Sequence, residues 1–313
     1  MEAAGLPACP TAKPSGRGFG WTGSSAAPFV RSAFPEGPIV LDPKLAASIR
    51  LVVSDIDGTL VRNDKSLSER TIEVVRRARD AGIAFTLISA RPPSGLGALI
   101  DQLSLAGPVG AFNGGTLFEP GGRIVEAHRL EPHDARRAVA MLDEAGIPVW
   151  FFADGLWIAR DETSPHTDLE RRAARLEPTL TEDFERWFER ADKVVGVSDD
   201  HAAVARMERE IGAVLGPSAN VVRSQPYFLD VTTAVANKGA GVEALARAFG
   251  VPLEATAAIG DMPNDVPMFA HAGLSVAMGQ APEEVRAKAR HVADTNEADG
   301  VAQFLEQLIA ARS

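Results

Sequence analysis

The sequence predicts an α/β protein: an open, doubly wound parallel sheet, Rossmann-like in plan, interrupted by a smaller inserted α+β domain. Three observations carry this. From about residue 50, short and continuously apolar runs, which suit strands buried on both faces, alternate with helical periodicity. Near residue 131 this alternation gives way to hairpin and helix patterns, and it resumes near 226. Several of the apolar runs end on carboxylates, a hydroxyl or an asparagine, the composition expected where an open α/β sheet binds its ligand at the carboxyl ends of its strands. The expected plan is an extension over 1–47, a first core part over 48–130, the insertion over 131–225 and a second core part over 226–313.

The chain has 313 residues, enough for about two domains. Its 32 basic and 42 acidic side chains leave a formal charge of −10 with no basic block. That balance argues against nucleic acid or an anionic membrane as partner. Cys9 is the single cysteine, so no intrachain disulfide can form, which fits a reducing cytoplasm. No apolar stretch approaches the roughly 18 residues of a membrane span, and no segment reads as a signal peptide. A cytoplasmic protein, monomer or homodimer, is expected.

Residues 1–47 are rich in Gly, Pro, Ser and Ala without periodicity, and are read as a disordered extension. Within them Gly18-Phe19-Gly20-Trp21-Thr22-Gly23 spells a dinucleotide fingerprint. Its context fails, because Pro14-Ser15-Gly16-Arg17 stands where a buried strand should precede it and no helix pattern follows.

The first strand is Leu51 to Val53, running into Ser54-Asp55-Ile56-Asp57-Gly58-Thr59-Leu60. Two aspartates one residue apart suit an acyl-phosphate mechanism, in which one carboxylate attacks phosphorus and the other handles the leaving-group proton. Gly58 permits the turn that brings both back to the strand end. The plain alternative is a turn after a buried strand. Ser66-Leu67-Ser68-Glu69 then reads as a capping box for a helix ending at Gly82, and Ile83 to Ile88 as a second strand ending at Ser89. A β-α-β unit places Ser89 beside Asp55, where its hydroxyl could hold a phosphoryl oxygen or cap a helix. A further helix and strand lead to Asn113-Gly114-Gly115, and Pro120-Gly121-Gly122 turns a hairpin between Thr116 to Glu119 and Arg123 to Ala127.

In the insertion, Pro132 to Ala145 reads as a helix and Val149 to Ala159 as a hairpin turning at Asp154-Gly155. Helices at Glu182 to Ala191 and His201 to Leu215 alternate with strands at Val194 to Val197 and Val221 to Arg223. Trp150, Trp157 and Trp187 fall here and are read as packing rather than as a ligand box. The core pattern resumes with a strand at Tyr227 to Val231, a helix opened by Lys238-Gly239, and the strand Ala255 to Ile259 running into Gly260-Asp261-Met262-Pro263-Asn264-Asp265. A strand at Leu274 to Met278 and a terminal helix at Gly300 to Ala311 complete it. Asp55, Asp57, Ser89, Asp261, Asn264 and Asp265 thus share one sheet edge, with Lys238 nearby. So many carboxylates repel one another unless a cation is present, and an oxygen-only donor set favours magnesium (Mg2+) over zinc.

These motifs resemble the haloacid-dehalogenase-like (HAD) superfamily, specifically its Cof-type phosphatases with the α/β cap of class IIB. The resemblance runs from about Arg50 to the C-terminus. It rests on Asp55 to Leu60, Ser89-Ala90-Arg91, Asn113-Gly114-Gly115, Asn237-Lys238-Gly239 and Gly260 to Phe269, with Ala272 to Ala281 and Glu297 to Val301 in agreement. Ser89 stands where the family more often has threonine and Gln280 where asparagine is frequent. The resemblance implies Asp55 as nucleophile and Asp57 as acid and base. It implies Mg2+ held by the Asp55 carboxylate, the Asp57 carbonyl and Asp261, with Asp265 in support. Ser89, Arg91, Asn113, Gly114, Lys238 and Asn264 would bind phosphate or substrate. The acid at Asp57 favours a phosphatase of small phosphorylated metabolites. A sugar phosphomutase and a vestigial binding protein stand as alternatives.

Overall fold

The computed structural model describes residues 41–312, so the fingerprint-like glycines and Cys9 lie outside the described residues. A short helix, α1 (Pro43–Ser48), opens this part, capped by Asp42 Oδ1 accepting from the Leu45 N–H at 2.9 Å. The expectation of disorder up to residue 47 is corrected here. Ala46 and Ile49 are buried against the core, and a capped turn that buries apolar side chains need not follow the composition around it.

The core follows in the order β1 (Leu51–Ser54), α2 (Glu69–Asp80), β2 (Ala84–Leu87), α3 (Gly97–Gln102) and β3 (Val109–Ala111). The hairpin β4 (Thr116–Phe118) and β5 (Ile124–Ala127) extends from β3 as a small antiparallel sheet. Ser68, not Ser66, caps α2, its hydroxyl accepting from Thr71 N. The insertion holds α4 (Pro132–Glu144), β6 (Val149–Ala153), β7 (Leu156–Ala159), α5 (Thr167–Ala174), β8 (Pro178–Leu180), β9 (Ala191–Val197), α6 (His201–Leu215), β10 (Ala219–Gln225) and β11 (Phe228–Thr233). The core closes with α7 (Lys238–Ala248), β12 (Thr256–Gly260), α8 (Val266–His271), β13 (Leu274–Ala277), α9 (Glu283–Arg286), β14 (His291–Val292) and α10 (Gly300–Ala310).

The core sheet runs β14-β13-β12-β1-β2, all parallel, and a bridge from Ile88 to Gly110 carries it on toward β3. β1 is central, with Ser54 registered between Leu87 and Ile259. Its uninterrupted apolar character follows from burial on both faces. Val52 and Ile56 pack in one cluster with Val74 and Val75 of α2 and Phe304 and Leu305 of α10; Leu51 and Val53 pack in another with Val242 and Leu245 of α7 and Met268 of α8. Each such side chain contributes about 1.5–3 kcal/mol by leaving water. The loops at the carboxyl edge of this sheet are thereby held on rigid strand ends.

The insertion forms a six-stranded mixed sheet, β10-β11-β9-β6-β7-β8. Strand alternation gives it two apolar faces. Phe151, Val194 and Leu229 pack beneath α4 and α6, whereas Trp150, Phe152, Trp157 and Phe228 turn toward the core, where Phe152 meets Phe112 edge-on at 6.1 Å. All three described tryptophans are buried. β11 is the main departure from the expected plan. It pairs antiparallel with β9 and β10 and so belongs to the cap, not to the second core part. The turn of only Pro226 and Tyr227 between β10 and β11 keeps the second strand on its predecessor's sheet.

Candidate active site

At the carboxyl end of β1, Asp55 donates its N–H to Ile259 O and turns its carboxylate inward, 5% exposed. Its Oδ1 accepts from Lys238 Nζ at 2.5 Å, and Lys238 reaches Asp265 Oδ1 at 2.6 Å. Lys238 sits in the first turn of α7, capped by Asn237, and is almost fully buried. Burial raises Asp55 to about 7, with the neighbouring Asp265 and Asp57 charges adding to the effect and Lys238 opposing it. For Lys238, burial pulls downward, but Asp265 and Asp55 outweigh it and hold the ammonium protonated.

Asp261 follows β12. Its Oδ1 accepts from Thr59 Oγ1 at 3.0 Å, while Asp265 Oδ2 accepts from the N–H groups of Asp261 and Met262 at 2.8 Å each. Carboxylate oxygens of Asp55, Asp261 and Asp265 all lie within 4.8 Å of one another. Burial, then the Asp55 and Asp265 charges, push Asp261 well above the usual carboxylate range. Both oxygens of Asp265 are already engaged, so it braces the loop and Lys238, whereas Asp55 and Asp261 keep an oxygen without a hydrogen-bond partner among the described residues. Gly58 has φ +80°, and a Cβ there would collide with the Asp261 carboxylate. The Asp57-Gly58 backbone therefore lies against the cluster.

The Asp57 side chain lies outside that cluster. Its Oδ2 accepts from Arg91 Nε and its Oδ1 from Arg91 Nη2 and Lys65 Nζ, each at 2.7 Å. Burial would raise this carboxyl, but Arg91 and Lys65 outweigh it and hold it well below the usual range. Arg91, expected on substrate, thus grips Asp57, a placement set by bidentate guanidinium geometry. Ser89 is buried beside Asp55 and its Oγ accepts from Arg91 N at 3.2 Å. Asp55, Asp57, Ser89, Arg91, Lys238 and Asn264 line one pocket.

Asn113 and Gly114, expected to contact substrate, are not among the residues that line this pocket. Asn113, in the left-handed region at φ 58°, donates from Nδ2 to Asp230 Oδ2 at 3.3 Å and accepts at Oδ1 from Asn264 Nδ2 at 3.0 Å. It orients Asn264, and its amide is spent on that. Gly114 packs against the backbone of Gly241, where a side chain would not fit.

Sequence reasoning missed Lys65 and the cap residues of the pocket, Glu170, Lys193, Ser224 and Tyr227. Lys65 had a signal, a cation in the short loop after the paired aspartates. The cap residues had none, because they lie far from Asp55 in sequence and reach it through tertiary contacts such as Phe112 on Phe152 and Lys193 Nζ donating to Ala90 O at 2.9 Å.

A model of the haloacid dehalogenase-like hydrolases matches residues 52–305. The 5-amino-6-(5-phospho-D-ribitylamino)uracil phosphatase YwtE of Bacillus subtilis is 26% identical over 291 residues, covering 84% of this chain and 99% of its own. The crystal structure of a haloacid dehalogenase-like hydrolase from Bacteroides thetaiotaomicron is 28% identical with a TM-score of 0.72, over 82% of this chain and 98% of that one. The subclass IIB sugar phosphatase BT4131 shares the fold, with a TM-score of 0.71 at 24% identity over 82% of this chain and 98% of its own.

Proposed function

The chain belongs to the haloacid dehalogenase-like hydrolases, and from that premise we propose a Mg2+-dependent phosphatase of small phosphorylated metabolites that carries the phosphoryl group on Asp55. The observation that supports this best is the Asp55–Lys238 pair at 2.5 Å, set beside Asp261 at the carboxyl edge of the sheet. Asp55 attacks phosphorus with a carboxylate oxygen while Lys238 holds that carboxylate in place, and the bond to the substrate's alcohol oxygen breaks. Asp57 gives that oxygen a proton, then takes one from the water that hydrolyses the acyl phosphate. Lys238, the Ser89 hydroxyl and the second Nδ2 hydrogen of Asn264 receive the phosphoryl oxygens.

Asp57 ionised between Arg91 and Lys65 is in its basic form. Its acid role needs Arg91 to move from the carboxylate toward the incoming phosphoryl group, where the same guanidinium fork fits two oxygens. The loop that carries Arg91 touches the cap through Ser94 Oγ donating to Ala174 O at 2.7 Å, so cap position and Arg91 position are coupled.

The residues fit Mg2+. Asp55, Asp261 and the Asp57 carbonyl are hard oxygen donors, and three crowded carboxylates share one lysine. When bound, the ion would neutralise that crowd and polarise the phosphoryl group. EDTA is therefore expected to abolish activity and lower the melting temperature, and Mg2+ at about 100-fold over its Kd to restore about 2.7 kcal/mol. Gly58→Ala is expected to cost about 1–2 kcal/mol through its left-handed backbone and to raise the Mg2+ concentration needed for half-maximal activity by displacing Asp261. A Mg2+ titration beside a denaturation curve separates the two effects.

The reading is tested by a screen of phosphate monoesters with Mg2+, scored as released inorganic phosphate. Release from none of them, with phosphoryl transfer between positions of a hexose phosphate instead, would replace the phosphatase by a mutase.

A further inference from the structure

We infer that Glu170 selects the alcohol half of the substrate: it is the cap's acceptor for leaving groups rich in hydroxyls, and it turns away those that carry a second anion. The inference rests on the phosphatase reading above and narrows its substrate class. Glu170 stands in the first turn of α5, 8% exposed, and lines the pocket from the cap side, across from Asp55 and Ser89 on the core. Its carboxylate makes no hydrogen bond or ion pair among the described residues. With no donor on the protein side, the carboxylate presents its acceptor oxygens to the pocket, where a ligand's hydroxyl can supply the donor.

The chain's own cations do not fill that need. Lys193 donates to Ala90 O at 2.9 Å and lies 3.5 Å from Asp230, Lys65 pairs with Asp57, and Arg91 is divided between Asp57 and the phosphoryl group. Asp230, fully buried on β11, has an Oδ1 without a hydrogen bond, so the cap wall pairs two carboxylates with one lysine. Ser224 and Tyr227 add neutral polar groups to the same wall. Burial pushes Glu170 up to about 7, against Lys193 and Arg91 and together with Asp230 and Asp57, as an acceptor lacking a donor should be. Such a wall suits the neutral hydroxyls of a polyol or sugar phosphate. A carboxylate or second phosphate on the leaving group would meet Glu170 with no cation to spare.

The test is a ratio of specificities at pH 8, on the full chain with Mg2+. The probes are sorbitol 6-phosphate, phosphoglycolate and p-nitrophenyl phosphate, the last carrying neither hydroxyl nor second anion on its leaving group. Wild type is expected to prefer sorbitol 6-phosphate over phosphoglycolate in kcat/KM. Glu170→Gln should lower that ratio by about ten- to a hundred-fold, mainly through KM, and Glu170→Lys should invert the preference. Circular dichroism and melting temperature report the fold of each variant. A ratio unchanged in both variants, or a wild type that prefers phosphoglycolate, would overturn the inference. Turnover of p-nitrophenyl phosphate with an unchanged ratio rejects the Glu170 assignment alone. No release from any of the three esters rejects the phosphatase reading with it.

Discussion

Asp55→Asn is expected to reduce phosphate release by a factor on the order of 10⁶, comparable to removal of a covalent nucleophile elsewhere, with the fold intact. Asparagine nearly matches aspartate in shape but does not attack phosphorus. The backbone of residue 55 is held by the strand, through its N–H to Ile259 O, and that bond does not depend on the side chain. Lys238 keeps Asp265 at 2.6 Å, so the substitution removes one partner of a buried lysine rather than both. It also removes one charge from a crowded carboxylate cluster. The melting temperature should therefore stay near that of wild type while turnover disappears. Mass spectrometry of rapidly quenched wild-type enzyme should find the phosphoryl group on the peptide containing Asp55, and the variant should lack it. Turnover near the wild-type rate in Asp55→Asn would remove Asp55 from the chemistry.

Lys238→Met should be the most destabilising single change in the site. Lys238 is 1% exposed and its ammonium is shared by Asp55 at 2.5 Å and Asp265 at 2.6 Å. Methionine keeps much of the volume and strands both carboxylates without their cation. Breaking a buried pair this way costs about 3–5 kcal/mol, which in a domain of this size lowers the melting temperature by roughly 6–20 °C. Because the lost charge also faces the phosphoryl group, kcat should fall by about 10²–10³. Saturating Mg2+ should recover part of the stability and little of the rate, since the ion offsets the repulsion but does not replace the donor. Differential scanning calorimetry with and without Mg2+ measures the first effect and phosphate release the second. A melting temperature unchanged in EDTA would show that the carboxylates near residue 238 do not depend on this cation. Lys238→Arg should fare little better, because a planar fork does not fit a compact ammonium site between two buried carboxylates.

Much of the site was legible in the chain because its parts are local. An apolar run followed by Asp55-x-Asp57-Gly58 states a buried strand, its end and a tight turn within ten residues, and the structure places Ser54 and Ser89 as a β-α-β unit requires. Asn237 before Lys238 and the Gly260 to Asp265 loop were equally readable, since a cap and a strand end are decided by neighbours in sequence. Asp265 illustrates the limit. Its place in the loop follows from the motif, but its two oxygens are committed to Lys238 and to two backbone N–H groups, an allocation that only coordinates reveal.

What the sequence by itself determined is the α/β class, the interruption of the core by a cap, the strand-end carboxylates and the lysine that meets them. The tertiary structure alone decided the allegiance of β11 to the cap sheet, the grip of Arg91 on Asp57, the diversion of Asn113 to hold Asn264, and the isolation of Glu170 in the cap wall. The physical reason is the range of the interaction. Periodicity, caps and turns are set within a few residues of backbone. Which strand a β11 pairs with, and which carboxylate a guanidinium or amide reaches, is settled by competition among groups that meet only when the cap packs on the core.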